Sequence, residues 1–164
     1  MASNNFERMI QLAAEVFDAH NDSEQLDVNE AVIERLKRLH PATLSEHIEG
    51  DGPVVWILLI PTTKKLMQIF LDEKISESEL LNRTPLKAKY ESLYLCSALV
   101  LPEYRRNGLA KQVALGAITQ IRRDHPVQML FAWNFSKEGA MLATRISEQS
   151  GLPLLIRRRQ LSQQ

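Results

Sequence analysis

"LYLCSALVLPEYRRNGLAKQVALGAITQIRRD", residues 93–124, is the stretch on which the fold turns. Its opening "LYLCSALVL" at 93–101 is an apolar run that reads as a strand. Its second half carries Leu109, Val113, Ala117 and Ile121 every four residues, the period of a helix from about 108 to 123. Between the two, Pro102 interrupts the strand's ladder. "YRRNGLAKQ" at 104–112 then puts positive charge and a glycine where the helix begins. The first turn of a helix leaves backbone N–H groups without internal partners, and they carry partial positive charge. Gly108 keeps a side chain away from those groups, and small Ala110 keeps the next approach open. Arg105, Arg106 and Lys111 add full charge around the same rim. A surface turn and a cradle for phosphates are both consistent with this pattern. A strand that splays from its neighbour here would also offer N–H and C=O groups to an extended, amide-bearing ligand.

Upstream, Phe6, Met9, Ile10, Ala13 and Phe17 recur at helical spacing over 5–19, and Val28, Val32, Leu36 and Leu39 over 28–39, where Pro41 stops the second helix. "ATLSEHIEG" at 42–50 reads as an edge strand and "GDG" as a turn. The unbroken β-branched run "PVVWILLI" at 53–60 reads as a strand covered on both faces. Pro61 and two threonines open a short helix with Leu66, Met67 and Phe70 inward, and a capping box from Ser76 to Glu79 starts another. Downstream, "VQMLFAW" at 127–133 is a strand, 136–150 a helix closed by Gly151, and "PLLI" at 153–156 a last short strand. "RRR" at 157–159 is expected to be solvated. Two helices followed by strands and helices in alternation predict an α/β (α+β) fold, with helices around one central mixed sheet.

The chain has 164 residues, 45% hydrophobic and 24% charged, which suits one domain with a real core. Lysine plus arginine equals aspartate plus glutamate at 20 each, so bulk charge does not point to nucleic acid. Cys96 is the single cysteine, which excludes an internal disulfide and favours a reducing compartment. "MASNNFERM" lacks the layout of a signal peptide, and no apolar run approaches a membrane span. A cytoplasmic protein with no membrane or nucleic-acid partner is the expectation. Metal-ligand spacings such as HExxH or paired cysteines do not occur.

"LVLPEYRRNGLAKQV" resembles the cofactor-binding segment of the GNAT acyltransferase superfamily. That signature is Gln or Arg, two residues, Gly, one residue, then Gly or Ala, matched here by Arg105-Arg106-Asn107-Gly108-Leu109-Ala110. "V-x-P-E-Y" at 100–104 and the order of elements over about 93–156 extend the resemblance. It implies one GNAT-like domain over 1–164, its sheet splayed in the middle, with acetyl-CoA in the splay as co-substrate. Backbone groups of Ala98, Leu99 and Val100 would pair with the pantetheine arm. The N–H groups from Arg106 to Lys111, Asn107, Gly108, Leu109 and Ala110 included, would hold the pyrophosphate, and Asn134 would reach the cofactor as well. The implied activity is N-acetyl transfer by direct attack of an amine, on a small molecule or a protein, in a ternary complex. A non-catalytic CoA-binding module of the same fold is the alternative, and either is compatible with a homodimer.

Direct attack needs a base for the ammonium, a donor for the oxyanion and an acid for the leaving thiolate. A backbone N–H near Leu99 would serve the oxyanion. The family's helix tyrosine, four residues before the Gly-aromatic pair, is replaced by Ser147, and its strand glutamate by Tyr94. Tyr94 is the candidate acid and Glu91 a candidate base through water, with a packed strand aromatic and a solvated turn residue as the plainer readings. Cys96 shares Tyr94's face if the strand is regular, and reads as packing. His47, between Glu46 and Glu49, would line the substrate side or the polar face of an edge strand, and His20, His40 and His125 fall at helix ends. The two short helices of 61–81 are expected to shape the acceptor site, with Phe70 or Trp56 as lining residues.

Overall fold

The computed structural model describes residues 4–20, 26, 28–133 and 136–157. Two N-terminal helices, α1 (Asn5–His20) and α2 (Glu30–Leu39), precede a hairpin of β1 (Leu44–Glu49) and β2 (Gly52–Thr62). Helices α3 (Lys64–Leu71) and α4 (Glu77–Arg83) follow, then β3 (Ser92–Val100), α5 (Leu109–Asp124), β4 (Met129–Ala132), α6 (Lys137–Ser150) and β5 (Leu154–Ile156). Short 3-10 turns at Pro41–Thr43 and Pro102–Tyr104 lead into β1 and out of β3.

The five strands form one sheet in chain order. The β1–β2 and β2–β3 pairs are antiparallel, while β3–β4 and β4–β5 are parallel, so the sheet is mixed as the sequence predicts. Helices α5 and α6 supply the crossovers that parallel neighbours require. The period of two along β2 divides the core. Ile57 and Leu59 join Met9, Ala117, Ile121 and Ile146 on one face, whereas Leu58 and Ile60 join Leu36, Met67, Phe70 and Leu80 on the other. Apart from Gly52 and Trp56, every residue of β2 is buried, which is why its sequence shows no polar alternation.

One element boundary and one burial differ from the reading of the sequence. Pro61 does not start a helix: it pairs with Leu93, and β2 continues through Thr62, the N-cap role falling to Thr63. Proline tolerates the position because it lies near the strand's end, where one missing N–H breaks little of the ladder. Arg157, expected in solvent, is 2% exposed and lies under the sheet's end. The capping box at Ser76 and Glu79 and the left-handed Gly151 that closes α6 are as predicted.

Candidate functional site

A fork in the sheet creates the candidate site. Strand β3 pairs with β4 only over Ser92–Leu95, matched to Met129–Ala132, yet runs on to Val100. From Cys96 onward its sole strand neighbour among the described residues is β2. The register against β2 skips a residue there: Leu58 faces Ser97 and Leu59 faces Leu95, leaving Cys96 as the extra residue of a bulge. A bulge bends the strand that carries it, so β3 turns away just where its pairing to β4 ends.

Beyond the fork, the backbone alternates between its two edges. Leu101 N–H donates to Val54 O at 3.0 Å, which turns Leu101 toward β2. By the two-residue period of antiparallel pairing, Leu99 faces β2 too, opposite Trp56, while Ala98 and Val100 face the open edge. Arg105 Nε donates to Val100 O at 3.0 Å on that edge. The Leu99 N–H is therefore taken up toward β2, and the N–H groups presented to the open edge near it are those of Ala98 and Val100.

The edge leads into the turn. Tyr104 N–H bonds to Leu101 O at 2.9 Å, and Arg106 and Gly108 both take left-handed backbone, at φ 66° and 82°. Gly108 is the N-cap of α5, and a Cβ built on it would meet nothing within 4 Å among the described residues. Packing therefore does not require the glycine; its backbone angle and the open space above it are what it provides. Asn107 Oδ1 accepts from Leu109 N–H at 3.3 Å. The N–H groups of Ala110 and Lys111 have no acceptor among the described residues. Arg105 and Arg106 are exposed and Lys111 half-buried around them. An anion fits this arrangement: free donors, room and positive charge coincide. Arg8 of α1 holds the turn from behind through a bidentate pair with Glu103, at 2.6 and 2.7 Å. That guanidinium keeps the Glu103 carboxyl at about 2. Asn134 lies outside the described residues.

The candidate acid and base are not brought to the cradle. Glu91 sits at the opposite end of β3, about 30 Å of extended chain from Val100. Its Oε1 accepts from Lys64 N–H at the start of α3, at 3.2 Å. The Ser147 hydroxyl donates to Leu152 O at 2.7 Å and belongs to the end of α6. Tyr94 is fully buried, its ring against Phe70 and Phe131 and its hydroxyl donating to Glu77 Oε2 at 2.5 Å. Burial, and then the facing Glu77 carboxylate, push its phenol well above the ordinary range. Phe70, expected to line the acceptor site, is 0% exposed in the core. Trp56 is half-buried, donating Nε1–H to Glu46 at 2.9 Å with its ring edge-on to Phe6.

Glu77 is the residue that sequence reading missed. It opens α4 and looks like ordinary first-turn acid, yet it is 4% exposed. Its Oε1 accepts from Leu26 N–H at 2.6 Å, and Cys96 Sγ lies 3.9 Å from its Oε2. Burial raises the Glu77 carboxyl against the opposing pull of the Tyr94 hydrogen bond, and burial also drives the Cys96 thiol well up. The Arg157 guanidinium lies 4.5 Å from the centre of the Phe70 ring and 4.2 Å from that of Trp133, with Nη1 donating to Ile75 O at 3.0 Å. The one available signal was Arg157 following an apolar strand, which looked like a solvated run. Among the described residues, no group of histidine, cysteine and acidic side chains is arranged to hold a metal ion, and no helix is long and apolar enough to cross a membrane.

Compared with known proteins, the chain matches no family model and no curated protein at a significant level.

Proposed function

We propose that this protein is an acetyl-CoA-dependent N-acyltransferase, carrying an acetyl group to an amine by direct attack in a ternary complex. The observation that carries the reading is the coincidence of a forked sheet with a donor-bearing helix start. The open edge of β3 leads from Cys96 to Val100, and the N–H groups of Ala110 and Lys111 lie beyond it under Gly108. A ligand with an anionic end and an extended, amide-bearing arm matches both parts, and CoA is such a ligand. Arg105, Arg106 and Lys111 would favour its phosphates, and Ala98 and Val100 its amides.

The chemistry then asks little of side chains. The amine's lone pair forms the new C–N bond, the C–S bond breaks, and the electron pair leaves on sulfur. One ammonium proton is lost before attack, and the attacking nitrogen sheds a second as the amide forms while the leaving thiolate takes one up. A backbone N–H of the open edge would donate to the carbonyl oxygen as its charge develops. The acceptor is an amine of a small molecule or of a protein.

A non-catalytic CoA-binding module remains the second reading, and a specific observation favours it. Tyr94 is enclosed, Ser147 is committed to Leu152, and Glu91 accepts from Lys64 N–H about 16 Å of extended chain from Cys96. Two measurements separate the readings. Calorimetric titration with acetyl-CoA should show binding by the native chain and none by Gly108→Arg, whose side chain would occupy the cradle; equal affinity in the variant would refute the site. Thiol release across a panel of amines should exceed background for an enzyme. Binding without release from any amine supports the module.

A further inference from the structure

Buried charge is costly, and replacing a buried ion pair by apolar residues is often neutral or stabilising. The core beside the fork nevertheless encloses Glu77 and Arg157, at 4% and 2% exposure. Their contacts meet at the point where β3 leaves β4. Tyr94 pairs with Phe131 and Leu95 with Ala132 in the last two rungs of that pairing, and Cys96 is the bulged residue immediately after them. Glu77 receives the Tyr94 hydroxyl below the bulge and lies beside the Cys96 thiol at it. On the β4 side, Trp133 packs over the Arg157 guanidinium directly after the final rung, and Arg157 N–H bonds to Ala132 O at 2.8 Å. Apolar packing is non-directional and would allow β3 to slide or re-pair. A carboxylate fixed by Leu26 N–H and Tyr94 OH has one position.

We propose that Glu77, acting through Tyr94 and Cys96, is a positioning residue that fixes the fork between β3 and β4 and so sets where an acyl thioester lies. The functional half of this inference rests on the acyltransferase reading; the structural half does not. The pantetheine arm would follow the open edge from Val100 toward Cys96, so the acyl carbon would arrive beside the latch. Misplacing reacting atoms by about 1 Å can cost about 100-fold in rate. The cradle lies at the other end of the open edge and would still hold phosphate.

Three variants test it: Glu77→Leu, which removes the carboxylate, Tyr94→Phe, which removes one of its donors, and Glu77→Gln, which keeps the shape, can accept from Leu26 N–H through Oε1 and can donate to the Tyr94 oxygen through Nε2. Amide hydrogen exchange on the free protein comes first. Leu and Phe should lose roughly tenfold protection at Leu95–Ser97 and Leu130–Ala132 beyond any change along the β1–β2 pairing, and Gln should retain it. A uniform change, no change, or a Gln variant as loose as Leu overturns the proposal. In thiol release, Leu and Phe should lower kcat about tenfold or more while acetyl-CoA affinity stays within about twofold, and Gln should recover most of the rate. Unchanged kcat in folded Leu and Phe variants overturns the functional half. If the native protein binds acetyl-CoA yet releases no thiol, the acyltransferase reading and the functional half fail, and hydrogen exchange still decides the latch. Should Glu77→Leu not fold, Tyr94→Phe carries both measurements.

Discussion

Replacing Gly108 by alanine separates what the cradle costs the fold from what it does for a ligand. The residue sits at φ 82°, and a Cβ there would meet no atom of the described residues within 4 Å. The penalty is therefore conformational alone, about 1–2 kcal/mol for an L-residue in the left-handed region. Restricting the unfolded chain returns about 0.4–1 kcal/mol. The net loss is about 0–1.6 kcal/mol, a fall of at most a few degrees in Tm for a domain of this size. Ligand binding should respond far more strongly. The empty space that spares the free protein a clash is the space an anion would fill to reach Ala110 and Lys111. A methyl group there should weaken acetyl-CoA at least tenfold in calorimetry. Gly108→Asn, which tolerates the backbone angle better, should restore part of the stability and none of the affinity. A Gly108→Ala protein a few degrees less stable with native affinity would refute the placement of the ligand. A drop in Tm far above a few degrees would refute the claim that the space is open.

Other consequences follow from the core and from the titrating groups. Phe70→Ala removes a ring packed against Tyr94, Phe131, Trp133 and Arg157 and should cost about 3–5 kcal/mol in denaturant unfolding; a loss below about 1 kcal/mol would mean this face of the core is not built as described. Burial, then the charges of His40 and Lys89, hold His125 below its ordinary value of 6.5, so its contribution to stability is present above about pH 6.5 and lost as pH falls through the lowered value. His125→Phe should flatten that part of the Tm–pH curve, and parallel curves would exclude the effect. Asp124 accepts from His40 at 2.6 Å, and that hydrogen bond lowers its carboxyl below 3.8, so its contribution disappears at still lower pH. Glu103 should titrate near 2 by NMR in the native chain and return toward 4.5 in Arg8→Ala; a native midpoint near 4.5 would show that the pair to α1 is not formed in solution.

Much of the architecture was legible because local rules acted alone. The helical period over 109–121, the capping box at Ser76 and the closing Gly151 each need only a few neighbouring residues to be decided. The turn between β3 and α5 was legible for the same reason, since a strand end, a glycine and a helix start are adjacent in the chain. Pro61 was misread because its consequence depends on where β3 pairs, and that partner is about thirty residues away. The acid–base candidates were named by position along β3, but position does not say which face is closed. Tyr94 fell on the face covered by α3 and α4, and Glu91 at the end remote from the turn.

The sequence by itself determined the order of helices and strands, the division of β2 between two buried faces, and a basic, glycine-bearing turn into α5 at Arg105–Lys111. These follow from periodicity, propensity and the backbone groups that a helix start leaves free. Only the tertiary structure decided the fork at Cys96, the direction in which Ala98, Leu99 and Val100 turn, and the burial of Glu77 with Arg157. Those depend on register between strands and on contacts such as Ile75 with Arg157, 82 residues apart, where no local pattern in the chain encodes the neighbour. A lone acid at a helix start and an arginine after a strand look solvated until the fold brings one to the Tyr94 hydroxyl and the other against Phe70 and Trp133.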